Sequence, residues 1–372
     1  MRGYASREHV NPSISNQEYW KYSVNEHGMF DIGAMVRCIH ATKQQELPEG
    51  QPYVLSGVAH SLGGAAMLTY LLTQRMKRQE HHLSRLILLS PAGFHEKTPL
   101  LFDILKFLVP FIDPFMRRFI PGFYIPTRGL RLLFNKLAQD FQNFPALRAL
   151  VQVAFSSMLV GGDSSDWVGA LRQPHYNMYD MPGLSYRVMK HMAQMKGHKK
   201  FTMYDYGSVR ENMEYYGQGE PLDLGSFYHL IDIPIDVVMG RKDHLIPPAM
   251  VYKHYDALKK VGRTASIKEF EYAHLDFTFA HKGELLAYVM ARLAQSPTPP
   301  STHKVGGEAG EGDGVGSGTG ERREEADGEE HVGEGGKEKE GKAKPTSLSA
   351  RKQSAERSNG GQPEDTLRRR HG

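Results

Sequence analysis

The stretch Val58-Ala59-His60-Ser61-Leu62-Gly63-Gly64 joins an apolar run, Tyr53 to Val58, to a helical one, Gly64 through Met76, and leaves no room for a loop between them. A chain that passes from strand to helix this abruptly must turn sharply at Ser61. Small residues on either side, Ala59 and Gly63, let backbone and helix approach each other at such a turn. A second apolar run, Leu86 to Leu89, follows and ends in Ser90-Pro91-Ala92-Gly93, completing a β-α-β unit. The same grammar returns late in the chain. Ile235 to Met239 reads as a strand, Met250 to Val261 as a helix, Ile267 to Tyr272 as a shorter strand, and Leu285, Val289 and Leu293 as the apolar stripe of a closing helix. Near the start, Asp31 is placed as the N-cap of a helix whose apolar face is Ile32, Met35, Val36 and Ile39. Alternation of this kind predicts an α/β fold, a mainly parallel sheet flanked by helices.

Residues 94 to about 230 interrupt that sheet. They are too many for a loop, since structureless connections beyond about 15 residues are uncommon in compact domains. A helical cap is expected instead. Its first part, Leu100 to Ile112, is strongly apolar, but Asp103, Lys106 and Pro110 break it, and it is shorter than the roughly 20 residues a bilayer span requires. It reads either as a lipid-facing lid helix or as packing within the cap. The methionines Met178, Met181, Met189, Met192 and Met195 suit a pocket for variable acyl chains or plain core filling, with Val188, Met192 and Met195 at helical spacing.

Composition changes sharply at Ser296: from there to Gly372 the chain contains no Phe, Trp, Tyr, Ile or Met. Such a segment cannot bury enough apolar surface to offset about 1 to 2 kcal/mol of backbone entropy per residue, so a disordered tail is expected. The predicted organisation is therefore core 1–93, cap 94–230, core 231–295 and tail 296–372. A net charge of +4 is spread among interspersed acidic and basic residues and gives no nucleic-acid footprint, while the run Arg368 to Arg370 reads as a solvated end. The one cysteine, Cys38, excludes a disulfide framework. Met1 to Val10 hold no apolar signal core and nowhere do about 18 apolar residues run together, which makes the cytoplasm the default expectation.

A serine hydroxyl is a weak nucleophile until it is exposed, aligned and given a base. The turn at Ser61 supplies exposure and alignment, and Leu62 at the helix start would offer its backbone N–H to an oxyanion. In this mechanism an acid and a base follow in the order Ser, Asp, His, each just past a strand. Asp243 follows Ile235 to Met239, and His274 follows Ile267 to Tyr272. The expected catalytic set is Ser61, Asp243 and His274. His60, His244 and His281 lack such placement and read as structural, and no spacing of His, Cys, Asp and Glu builds a metal site.

Five stretches extend this reading: Arg2-Gly3-Tyr4-Ala5-Ser6-Arg7-Glu8-His9, Glu18-Tyr19-Trp20, the Ser61 turn, Tyr204-Asp205-Tyr206-Gly207-Ser208 and His274-Leu275-Asp276-Phe277. Together they resemble the acid-lipase branch of the α/β-hydrolases, most of all its plant-type members, over nearly all of residues 1 to 295. The resemblance implies a carboxylic ester of a lipid as substrate, an acylglycerol or a sterol ester, assigns the triad to the same three positions, and implies no cofactor. It also implies two sheet strands and a His-Gly loop ahead of the Arg2-Gly3 stretch. Their lack predicts a missing second oxyanion donor, a cost of about 10² to 10³ in rate, and an exposed apolar edge at Tyr53 to Val58. On that expectation Met1 is not the biological start or the chain is an incomplete form. Two further readings keep the same residues: a lipid-binding protein without catalysis, and an acyltransferase in which an alcohol replaces water. Peripheral contact with a membrane or lipid droplet would run through the cap.

Overall fold

The computed structural model describes residues 2–3, 9, 11–49, 51–96, 100–120, 122–126, 129, 132, 136, 183–279 and 283–295. The chain divides into two units, Met1–Glu321 and Arg322–Gly372, and the second lies outside the described residues, as does the whole tail segment 296–372 with Arg368 to Arg370.

Helix α1 (Gly33–Glu46) does not begin at Asp31. Helical backbone starts at Val24, where Ser23 and Glu26 form a reciprocal cap, and passes through a wide turn at His27–Ile32 before α1. The Ser-x-x-Glu spacing of a capping box carried that signal. Asp31 instead accepts hydrogen bonds from the backbone and side chain of Arg2 at 2.9 and 2.8 Å and sits 3.2 Å from His27 Nδ1. Burial works to raise its pKa, but the bonds from His27 and Arg2 hold the carboxyl well below the usual range. Of the expected apolar face only Val36 is buried, whereas Met35 and Ile39 are exposed.

The central sheet contains four parallel strands in the order β1 (Ser56–His60), β2 (Arg85–Leu89), β5 (Ile235–Gly240) and β6 (Ala265–Phe270). β2 and β5 are buried along their whole length, as expected for strands covered on both faces. Period-two alternation divides their side chains. Leu86, Leu88, Ile235 and Val237 enter one core, which helices α2 (Leu62–Met76) and α6 (Pro248–Lys260) cover through residues such as Leu68, Leu72, Met250 and Leu258. Ile87, Leu89 and Val238 enter a second core with Phe270, Tyr272 and Phe277, closed by Leu285, Val289 and Leu293 of α7 (Glu284–Leu293). Each large side chain so buried stabilises the fold by about 1.5 to 3 kcal/mol. Buried polar groups pair among them: Asp236 of β5 accepts from Arg85 of β2 at 2.6 Å and from Arg292 and Ser266 at 2.5 Å, which ties α7 to the sheet. β1 is one edge of the described sheet, where Val54 and Val58 are exposed, and it starts at Ser56 rather than Tyr53.

Between β2 and β5 lie α3 (Leu100–Phe119), a two-stranded antiparallel pair β3 (Tyr124–Pro126) and β4 (Gly183–Ser185), α4 (Tyr186–His198) and α5 (Val209–Tyr216). Residues 137–182, including Met178 and Met181, lie outside the described residues. Val188 and Met195 are buried in the first core and Met192 packs against it, so these side chains fill the core. Pro110 does not end α3: it and Pro114 sit inside the helix. Contacts with α4 compensate for the hydrogen bonds that proline removes. Asp113 accepts from Lys190 at 2.7 Å, and Asp103 pairs with Lys196 at 2.6 Å. The outer face carries Ile104, Phe107, Leu108, Phe111, Ile112, Phe115 and Phe119, all exposed, with Phe111 at 71%. Asp113 thus points inward, while these apolar groups point outward. Among the described residues no helix is long and apolar enough to cross a membrane.

Among the buried histidines, three titrate far below the free side chain. Burial lowers the pKa of His95 and His191 to about 4 and that of His254 to about 3, and His254 Nδ1 lies 2.6 Å from the Tyr228 hydroxyl. Free histidine titrates near 6.5. Below that pH the unfolded chain takes up protons that the folded chain refuses, so the stability present above pH 6.5 is lost as the pH falls toward 4. The loss approaches about 1.4 kcal/mol per pH unit per histidine. Urea denaturation is expected to give a midpoint that drops between pH 6.5 and 5, a window above most carboxylate titration. A flat midpoint there would contradict it.

Candidate active site

Strand β1 ends at His60 and α2 begins at Leu62, so a single residue makes the turn. Ser61 adopts φ 56° and ψ −123°, a left-handed conformation that costs a non-glycine residue about 1 to 3 kcal/mol. Three backbone hydrogen bonds hold it there: Ser61 N–H donates to Leu89 O at 3.0 Å, and Gly64 and Ala92 N–H donate to Ser61 O at 3.0 Å each. A side chain on Gly63 would stand 3.9 Å from the Ala59 methyl, ordinary contact, so these small residues face each other across the turn. Ala59 lies within the strand, so its methyl costs nothing in backbone strain. Ser61 gives no side-chain hydrogen bond to the first turn of α2, which begins with the Leu62 N–H.

The other two residues arrive from neighbouring strand ends. Lys242 N–H donates to Tyr272 O at 3.0 Å and Arg241 N–H to Phe270 O at 2.9 Å, which presses the loops after β5 and β6 together. Any side chain at Gly240 would overlap the Tyr272 carbonyl. Asp243 and His274 are both buried, at 1% and 3% exposure. His274 Nδ1 is 2.7 Å from Asp243 Oδ2, and its Nε2 is 2.8 Å from Ser61 Oγ. An ionised carboxylate only accepts, so Nδ1 carries the proton, and Nε2 is left to accept from the serine hydroxyl. The structure therefore brings together all three residues that the strand-end positions single out.

His60 stands closer to this site than its sequence context discloses. Its Nε2–H donates to the His274 carbonyl at 3.0 Å, and the two rings lie 4.6 Å apart. Burial, then the adjacent His274, lowers its pKa to about 4, so at neutral pH it is an uncharged brace. Asp276 braces the same loop from the other side, accepting from Ala273 N–H at 2.6 Å. His244 is exposed, and His281 lies outside the described residues. The Tyr204 to Ser208 stretch is a turn and helix cap: Gly207 takes φ 88°, and the Ser208 hydroxyl accepts from Glu211 N–H at 3.2 Å to start α5. Among the described residues no group of three or more His, Cys, Asp or Glu could hold a metal ion.

A model of the alpha/beta hydrolase fold matches residues 3–280. Lipase member N of Mus musculus is 24% identical over 280 residues, covering 74% of this chain and 64% of that protein. Lipase lipl-1 of Caenorhabditis elegans is 25% identical over 280 residues, with 73% and 64% covered, and gastric triacylglycerol lipase of Homo sapiens is 27% identical over 281 residues, with 74% and 64% covered. The chain thus spans 64% of the length of each of these relatives.

The packing at the turn sets up a contest between two effects at Gly64. Within a helix, alanine is favoured over glycine by about 1 kcal/mol. A Cβ at Gly64 would stand 2.7 Å from Pro91 Cβ and 3.1 Å from Pro91 Cα, in the loop that also holds Ser61. Overpacking typically costs about 1 to 3 kcal/mol, so the clash wins. Gly64→Ala is expected to lower the thermal midpoint despite its better helix propensity. A raised midpoint would mean the loop yields freely.

Proposed function

The chain belongs to the alpha/beta hydrolase fold family, and on that premise we propose that it hydrolyses carboxylic esters of lipids, acylglycerols or sterol esters, through Ser61, His274 and Asp243. The supporting observation is the unbroken relay from Ser61 Oγ to His274 at 2.8 Å and from His274 to Asp243 at 2.7 Å. His274 Nε2 takes the hydroxyl proton as Ser61 Oγ attacks the acyl carbon. The Leu62 N–H donates to the oxyanion that forms. His274 then returns the proton to the leaving alcohol, and Asp243 holds the ring tautomer and stabilises the imidazolium. Water, activated by the same imidazole, attacks the acyl-enzyme and frees Ser61. On this reading α3, β3, β4, α4 and α5, the described elements between β2 and β5, belong to a cap.

The lipid substrate class rests on the relatives, which are named as lipases, and on the outer face of α3, whose ladder of phenylalanines faces water beside Arg118. An apolar helix face with a basic flank suits the surface of a lipid aggregate.

Two measurements test this. A fluorophosphonate probe is expected to label the wild type, with labelling lost in Ser61→Ala and slowed by about 10⁴ in Asp243→Asn. An unlabelled wild type would favour lipid binding without catalysis. Sedimentation with anionic phospholipid vesicles is expected to fall at least tenfold in the double variant Phe107→Asp, Phe111→Asp, at an unchanged melting temperature. Equal sedimentation would remove α3 from the contact.

A further inference from the structure

Asp243 is a buried carboxylate with about four lone-pair sites to satisfy. Leu245 and Ile246 N–H donate to its Oδ1 at 2.9 and 2.7 Å. His274 Nδ1 takes Oδ2 at 2.7 Å, and the hydroxyl of Ser90 donates to that same oxygen. Ser90 is fully buried and sits at the end of β2, the strand between those that deliver Ser61 and Asp243. Its backbone is also unusual. It takes φ 44°, a conformation normally left to glycine, while its N–H donates to Val238 O at 2.7 Å. A glycine would relieve that strain but would remove the hydroxyl. Two residues on, Ala92 N–H donates to Ser61 O at 3.0 Å, so this short loop grips the acid with a side chain and the nucleophile with its backbone.

We infer that Ser90 is a positioning residue of the relay: its hydroxyl orients the Asp243 carboxylate and weakens its hold on the His274 proton. The inference rests on the reading of Ser61, His274 and Asp243 as the catalytic set. A hydrogen bond to Oδ2 stabilises the anion and so lowers the proton affinity of the aspartate–histidine pair as a whole. Without it the pair keeps its proton to higher pH, and the imidazole is available as a base only above that point. Hydrogen bonds to charged groups are strong enough to move the titration by about one to two units.

The test is the pH dependence of fluorophosphonate labelling in the full chain, for the wild type, Ser61→Ala, Ser90→Ala and Ser90→Gly. Labelling of the wild type and its loss in Ser61→Ala establish the site. Ser90→Ala and Ser90→Gly are then both expected to show the labelling midpoint displaced upward by about one to two units. The glycine variant relaxes the backbone and keeps the test open should the alanine variant fold poorly. A residue that only supported the fold would change the plateau rate and leave the midpoint in place. An unmoved midpoint in either variant that folds would overturn the inference and leave the catalytic reading standing. An unlabelled wild type would overturn both.

Discussion

A carboxylate taken out of water must find donors for its oxygens or lose its charge, and the architecture around Asp243 follows from that requirement. Its donors come from three places: the loop after β5 supplies two backbone N–H groups, the loop after β2 supplies the Ser90 hydroxyl, and the loop after β6 supplies His274. Only a sheet that puts β2, β5 and β6 in adjacent register can bring these loops together. The central strands are apolar on both faces, so their positions are fixed by two cores at once. Rigid strands then hold strained turns: Ser61 and Ser90, both at positive φ, stand at the ends of neighbouring strands. Strain of this size persists only where packing and backbone hydrogen bonds over-determine the turn.

The remaining braces are short-range. His60, uncharged at neutral pH, and Asp276 both act on the backbone beside His274, one through a ring N–H and the other through a carboxylate. Their effect is to remove freedom from the loop that must keep one imidazole nitrogen on Asp243 and the other on Ser61. Geometry held in advance in this way lowers the reorganisation needed at the moment of reaction.

Much of this was readable in the residues. Strand and helix runs at Leu86 to Leu89, Ile235 to Met239 and Met250 to Val261 fell within two residues of the observed elements, because apolar periodicity reports burial directly. The order of Ser61, Asp243 and His274 along the chain was visible for the same reason. Asp31 misled because an Asp before an apolar stripe is a generic start signal, whereas its bond to Arg2 spans 29 residues. Pro110 misled because local propensity says nothing of the ion pairs to α4 that keep the helix intact. Ser90 and His60 were hidden because their partners, Asp243 and the His274 carbonyl, are distant in sequence. Only the folded register makes them neighbours.

Helix α3 is fastened by charge and turned apolar side outward, and dissolved ions act on those two properties in opposite directions. At molar ionic strength the screening length contracts to about 3 Å, which loosens the half-exposed Asp103–Lys196 pair more than the enclosed Asp113–Lys190 pair. Sulfate and similar anions at the same time raise the cost of keeping phenylalanine in water. Dilute buffer therefore holds the helix on its seat. Concentrated sulfate loosens the seat and drives the outer face toward any apolar phase at hand, whether a chromatography resin, a detergent micelle or an oil droplet.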